Sequence, residues 1–105
     1  MEQPIIAKRE VTKYILEAFG HRAKKKLGQN FLVDEKAVEA IAAATKCGPG
    51  ETVLEIGPGI GTLTQALAMR GAQVKAVELD SDLVKVMGKT LEGYDNIEII
   101  NEDIL

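Results

Sequence analysis

A strand-like run that breaks into closely spaced glycines restricts what this chain can become. Residues 52–64 read Thr-Val-Leu-Glu-Ile-Gly-Pro-Gly-Ile-Gly-Thr-Leu-Thr. The apolar stretch with β-branched Val53 and Ile56 predicts a buried strand, and Gly57, Gly59 and Gly61 let the backbone turn sharply before a helix. Small residues at such a turn let a ligand approach the main chain, and the N–H groups that open the next helix can act as donors. In outline this is a ligand-binding loop.

The residues that follow repeat the same alternation. Leu63, Ala66, Leu67 and Arg70 predict a helix that Gly71 terminates, and Ala72–Glu78 predicts a second strand. Asp80 can cap a third segment, a helix carrying Leu83, Val84, Met87 and Leu91, and Ile97–Asn101 predicts a third strand. Strand, helix, strand, helix, strand implies parallel strands joined by right-handed crossovers, the doubly wound class. In open parallel sheets ligands bind beyond the carboxyl ends of the strands. Three acids fall there: Glu55 near the end of the first strand, Glu78 at the end of the second, and Asp103 just after the third.

These acids narrow the ligand. Glu78 lies about twenty residues beyond the loop, where an acid in this class can bond a ribose diol, so a nucleoside is expected. A dinucleotide fits poorly: its fingerprint wants a glycine where this chain has Thr62, and Gly61 comes one position early. A phosphate-binding P-loop is excluded by the missing Gly-Lys-Ser/Thr ending. Pro58 removes a donor that a pyrophosphate would use, and Glu55 repels phosphate but suits a cation. A nucleoside with a cationic tail meets these demands, and S-adenosylmethionine is one.

Ahead of the loop, Val11, Ile15, Ala18 and Phe19 predict an amphipathic helix from about Lys8 to Phe19, stopped by Gly20. Arg22, Lys24, Lys25 and Lys26 then form a dense basic cluster beside His21, which has no neighbours in sequence that make it a base or a metal ligand. Residues 1–30 hold seven Lys/Arg against three Glu, while residues 31–105 hold six against thirteen acids. A basic arm ahead of an acidic body suggests a polyanionic partner. Leu27-Gly28-Gln29-Asn30-Phe31-Leu32 offers two amides and two apolar anchors, and Asp34 can cap a helix through Val38, Ile41 and Ala42 that ends near Thr45. Cys47 stands alone beside a Gly-Pro-Gly turn, so a packing role is expected of it and no metal site is. The chain has neither a secretory signal nor an apolar run that could span a bilayer, and the expected location is cytoplasmic.

Four segments, residues 24–32 (Lys-Lys-Lys-Leu-Gly-Gln-Asn-Phe-Leu), 54–64, 77–80 (Val-Glu-Leu-Asp) and 101–105 (Asn-Glu-Asp-Ile-Leu), occur in the order of the rRNA adenine N6,N6-dimethyltransferase family, which the chain resembles. Leu-Gly-Gln-Asn-Phe-Leu favours the small-subunit rRNA branch over the erythromycin-resistance and mitochondrial relatives. The resemblance implies the N-terminal part of a Rossmann-like class I S-adenosylmethionine-dependent methyltransferase fold, with three parallel strands and helices. It implies cofactor contacts at Asn30, Leu32, Gly57, Glu78 and Asp103, with Glu55 and Gly59 alongside. In this picture Asn30 and Leu32 bring the arm over the cofactor, Glu78 takes the ribose hydroxyls and Asp103 the adenine amino group.

The resemblance further implies transfer of methyl groups to adenine N6 on two adjacent adenosines, with small-subunit rRNA or the pre-ribosomal small subunit as partner and Arg22 and Lys24–Lys26 facing the RNA. The family's Asn-Leu-Pro-Tyr motif, which receives the target adenine, would follow a fourth strand, and the sequence ends at Leu105. An N-terminal piece without catalytic residues of its own is therefore expected, divided into a basic helix and arm at 1–33 and the first half of the cofactor domain at 34–105. Its first strand would be central in the family's sheet and is expected here as an apolar edge through which copies self-associate. Two other readings of the residues are a non-catalytic RNA-binding module and an S-adenosylmethionine-dependent methyltransferase of another substrate.

Overall fold

The sheet grows in one direction. The computed structural model describes residues 4–18 and 34–105. Its elements are α1 (Arg9–Ala18), α2 (Glu35–Ala44), β1 (Thr52–Ile56), α3 (Thr62–Met69), β2 (Gln73–Val77), α4 (Ser81–Thr90) and β3 (Ile97–Ile100). The three strands are parallel in the order β1-β2-β3, with Val53 beside Val74 and Val74 beside Ile97. Without a reversal of strand order, right-handed crossovers carry α3 and α4 over the same face. The doubly wound arrangement implied by the alternation is thus present as a single winding among the described residues.

Local chemistry explains the element ends. Asp34 accepts hydrogen bonds from the Lys36 and Ala37 N–H groups at 3.0 and 3.2 Å, the N-cap its sequence position predicts. Asp80 does the same for α4 through the Asp82 N–H at 2.8 Å. Gly71, at φ +91°, lies just past the end of α3, and a Cβ there would meet the Pro49 ring at 2.9 Å. Asn96 donates to the Ala68 and Ala72 carbonyls, both at 2.9 Å, which ties the start of β3 to the turn between α3 and β2.

The covered face carries two apolar clusters. Ala42, Cys47, Leu67, Ala68, Ala72 and Val74 join α2 and α3 to the sheet, with Val53 packed against them. Cys47 is a buried member of this cluster, consistent with packing. Ile6, Ile15, Ile60, Val86, Met87 and Leu91 form the second, so α1 and the segment before it share a core with α4 and with the glycine loop. Burying a side chain of this size contributes roughly 1.5–3 kcal/mol. One expectation from helical spacing fails: Ile41 is exposed, because α2 turns only Val38 and Ala42 inward.

The opposite face is bare by comparison. Leu54 and Ile56 are 57% and 58% exposed, and Lys75 and Glu98, in register with Leu54, form an exposed ion pair at 3.9 Å. Among the described residues β1 pairs with β2 alone, so the expected apolar edge is present there. Among the described residues no helix is long and apolar enough to cross a membrane, and no group of three or more His, Cys, Asp or Glu could hold a metal ion.

Candidate cofactor site

Parallel pairing sets the carboxyl ends of the three strands at one edge of the sheet, and the glycine loop opens there. Gly57 continues the ladder by donating its N–H to the Val77 carbonyl at 3.0 Å, so the loop starts level with the end of β2. Gly57, Gly59 and Gly61 have φ of +72°, +65° and +95°, a region that residues with a side chain enter at a cost. Their environments differ. A Cβ on Gly57 would meet nothing within 4 Å, whereas one on Gly61 would lie 2.9–3.1 Å from the Leu91 side chain. Gly57 thus faces open space above the sheet, while Gly61 lets the loop close onto α4.

Glu78 joins the loop to the end of β2. Its backbone N–H donates to Ile100 at 2.9 Å, extending the ladder to β3. One carboxylate oxygen accepts the Asp80 N–H at 3.0 Å and the other a long 3.4 Å bond from the Gly59 N–H. The side chain is almost fully buried, so both oxygens are held by backbone donors from two loops at the sheet edge. Asn101 supports the same turn from β3, donating to the Glu78 and Leu79 carbonyls at 2.8 and 3.1 Å.

Glu55 comes up from β1 beneath the loop. Burial pushes its carboxyl above the ordinary range, and a hydrogen bond from the Thr64 hydroxyl opposes that rise. A carboxylate already stripped of much of its water has less hydration left to lose when it meets a cation. Asp103 follows β3 at this end of the sheet, but it is exposed and its carboxylate accepts the Leu105 N–H at 2.9 Å.

The fold therefore gathers Glu55, Gly57, Gly59 and Glu78, places Asp103 on the same edge, and adds Thr64 and Asn101, which the sequence reading passed over. Thr64 stands one helical turn beyond Ile60 on the inward face of α3, and Asn101 is an amide at a strand end; spacing alone names no partner for either. Asn30, Leu32, Arg22, Lys24, Lys25 and Lys26 lie outside the described residues.

Comparison with known proteins agrees with this architecture. The family model for ribosomal RNA adenine dimethylase matches residues 20–105. Ribosomal RNA small subunit methyltransferase A of Macrococcus caseolyticus is 47% identical over 105 residues, which is 100% of this chain and 36% of that protein. Its namesake in Staphylococcus haemolyticus is 46% identical, with the same coverage. The crystal structure of the 23S rRNA methyltransferase ErmE superposes with a TM-score of 0.63 and 43% identity, over 67% of this chain and 29% of that one. The chain thus spans about a third of the length of the curated relatives it matches. The three-stranded parallel sheet with its helices is Rossmann-like, as in these methyltransferases. By the match over residues 20–105, the chain belongs to the ribosomal RNA adenine dimethylase family.

Proposed function

We propose that this chain provides the S-adenosylmethionine-binding part of an rRNA adenine N6,N6-dimethyltransferase that acts on two adjacent adenosines of small-subunit rRNA. The observation that carries the reading is the Glu78 carboxylate, held between the Gly59 and Asp80 N–H groups at the sheet edge where a ribose diol would lie. Open space beside Gly57 fits a ligand backbone laid against the loop, and the desolvated Glu55 fits an ammonium group. The residues present therefore suit the cofactor.

When bound, S-adenosylmethionine supplies an electrophilic methyl group on a sulfonium for transfer to a nucleophilic adenine nitrogen. Glu78 would accept the ribose hydroxyls, Asp103 the adenine amino group, and Gly57 would let the methionine part lie close to the main chain. Asn30 and Leu32 would cover the cofactor from the arm. No side chain needs to form a covalent bond; orientation and exclusion of water carry the rate. Arg22 and Lys24–Lys26 would contact phosphates of the small-subunit rRNA or its precursor particle, and the target adenosine would be splayed out to reach the methyl group. These 105 residues are expected to bind cofactor without transferring methyl.

Calorimetry with S-adenosylmethionine tests this. Binding that weakens by about 1–3 kcal/mol in Glu78→Ala, the range for leaving polar partners unpaired, supports the ribose role. Unchanged affinity in the variant counts against it. A chain that binds RNA in a salt-dependent way but takes up no cofactor would be the non-catalytic RNA-binding module instead.

A further inference from the structure

Gln65 of α3 is 1% exposed, and an uncharged amide buried so deeply must satisfy its donors and acceptor within the protein. It does so with groups from two distant segments. Its Oε1 accepts the Ile6 N–H at 2.7 Å, and its Nε2 donates to the Pro4 carbonyl at 2.7 Å and to the Tyr94 hydroxyl at 3.0 Å. Thr12, itself buried, donates its hydroxyl to the Ile6 carbonyl at 2.6 Å. Both main-chain polar groups of Ile6 are thus satisfied by side chains rather than by a helix or a strand.

Ile6 and Ile60 are each 1% exposed and belong to one apolar cluster. Ile60 lies between Gly59 and Gly61, which with Gly57 leave the loop few side chains to hold it in place. The loop buries two side chains, Pro58 and Ile60, and Ile60 is the one that joins the apolar cluster of Ile6, with the Thr90 hydroxyl donating to the Ile60 carbonyl at 2.7 Å. Whatever fixes Ile6 therefore fixes the wall against which the loop rests.

We propose that Gln65 is a positioning residue for the cofactor site: by fixing Pro4–Ile6 behind Ile60 it holds the Gly57–Gly61 loop, and with it the Gly59 N–H, in the geometry that meets Glu78. The proposal rests on the cofactor reading above. Gln65 touches no ligand; it acts through Ile6 and Ile60. The N-terminal segment is on this account a working part of the cofactor loop, although more than fifty residues separate them in sequence.

The test compares the whole 105-residue chain with Gln65→Leu and Gln65→Glu by amide hydrogen exchange and by calorimetry with S-adenosylmethionine. Leu keeps the bulk but strands the Ile6 N–H, the Pro4 carbonyl and the Tyr94 hydroxyl. Its Ile6 amide should exchange at least about tenfold faster while the Val74 amide in β2 keeps its rate, the Gly59 amide resonance should move, and affinity should fall about tenfold. Glu retains an acceptor for Ile6 and for the Tyr94 hydroxyl and should restore most of the affinity and the Gly59 resonance, a rescue that a loss of bulk packing would not give. If Leu disrupts folding, the Glu variant alone decides, through an affinity modestly below that of the unaltered chain with the Ile6 amide unchanged, because Glu accepts from Ile6 but has no donor for the Pro4 carbonyl. Unaltered affinity in both variants, or an Ile6 amide indifferent to Gln65→Leu, overturns the positioning role and leaves the cofactor reading standing. Failure of the unaltered chain to bind S-adenosylmethionine overturns the cofactor reading and this role with it.

Discussion

The Thr64 hydroxyl donates to the Glu55 carboxylate across the glycine turn, joining the end of β1 to the first turn of α3. Burial raises the Glu55 pKa above its ordinary value of 4.5, and the Thr64 bond opposes the rise. The native state thus binds this proton more tightly than the unfolded chain does. Stability must then fall as pH rises from 4.5 through the native pKa, since over that window the folded form is the one giving up a proton it held. Glu55→Gln keeps an acceptor for Thr64 but cannot ionise. Its Tm should exceed that of the unaltered chain at pH 7 and lose that advantage at pH 4.5, while its affinity for S-adenosylmethionine falls. Calorimetric melts at the two pH values check the first part; a variant less stable at pH 7 would refute it.

The two outer glycines of the loop should fail differently. Gly61→Ala combines positive φ with a Cβ 2.9 Å from a buried Leu91 side chain, so unfolding free energy should drop by about 1–3 kcal/mol from the backbone, with repacking at Leu91 added. Gly57→Ala bears only the backbone cost, roughly 1–2 kcal/mol, because its Cβ meets nothing. Its methyl would instead stand in the open space assigned to the ligand. Urea titration with calorimetry should find Gly61→Ala the more destabilised and Gly57→Ala the weaker binder; equal cofactor affinities would remove Gly57 from the site.

Replacing Lys24, Lys25 and Lys26 together by Ala should weaken RNA and flatten the dependence of log K on log salt by up to about two to three contacts' worth, roughly 0.7–0.9 per phosphate. Cofactor affinity should not change. A salt slope identical to that of the unaltered chain would return the cluster to an ordinary solvated surface.

β1 should make the 105-residue chain associate with itself. Its outer edge has no partner strand among the described residues, and Leu54 and Ile56 stand on the uncovered face. Light scattering should report mass that grows with concentration, and Leu54→Lys or Ile56→Lys should suppress it at little cost to stability, both positions being more than half exposed. A cooperative monomer at every concentration would refute this.

Taken alone, the amino-acid sequence determined the order of elements, the two aspartate caps and the glycine loop, because these depend on spacing within a few residues: 3.6-residue and two-residue periods, side-chain caps, and glycines where the chain must turn. It also singled out Glu55 and Glu78, since acids at the ends of parallel strands have few places to go. It placed Ile41 on the inward stripe of α2, where the side chain satisfies the helical period but stays exposed.

What tertiary structure alone decided is who meets whom. Thr64 and Glu55 are nine residues apart, Asn101 and Glu78 twenty-three, Gln65 and Ile6 fifty-nine. Each pair joins a polar side chain to a group that burial forbids to remain unpaired, and the partner depends on how sheet and helices stack, which no local pattern encodes. The monotonic strand order is of the same kind. Alternation of strands and helices requires parallel pairing, but only packing shows that, among the described residues, one face of the sheet is covered, and that the Pro4–Ile6 segment shares a core with the glycine loop.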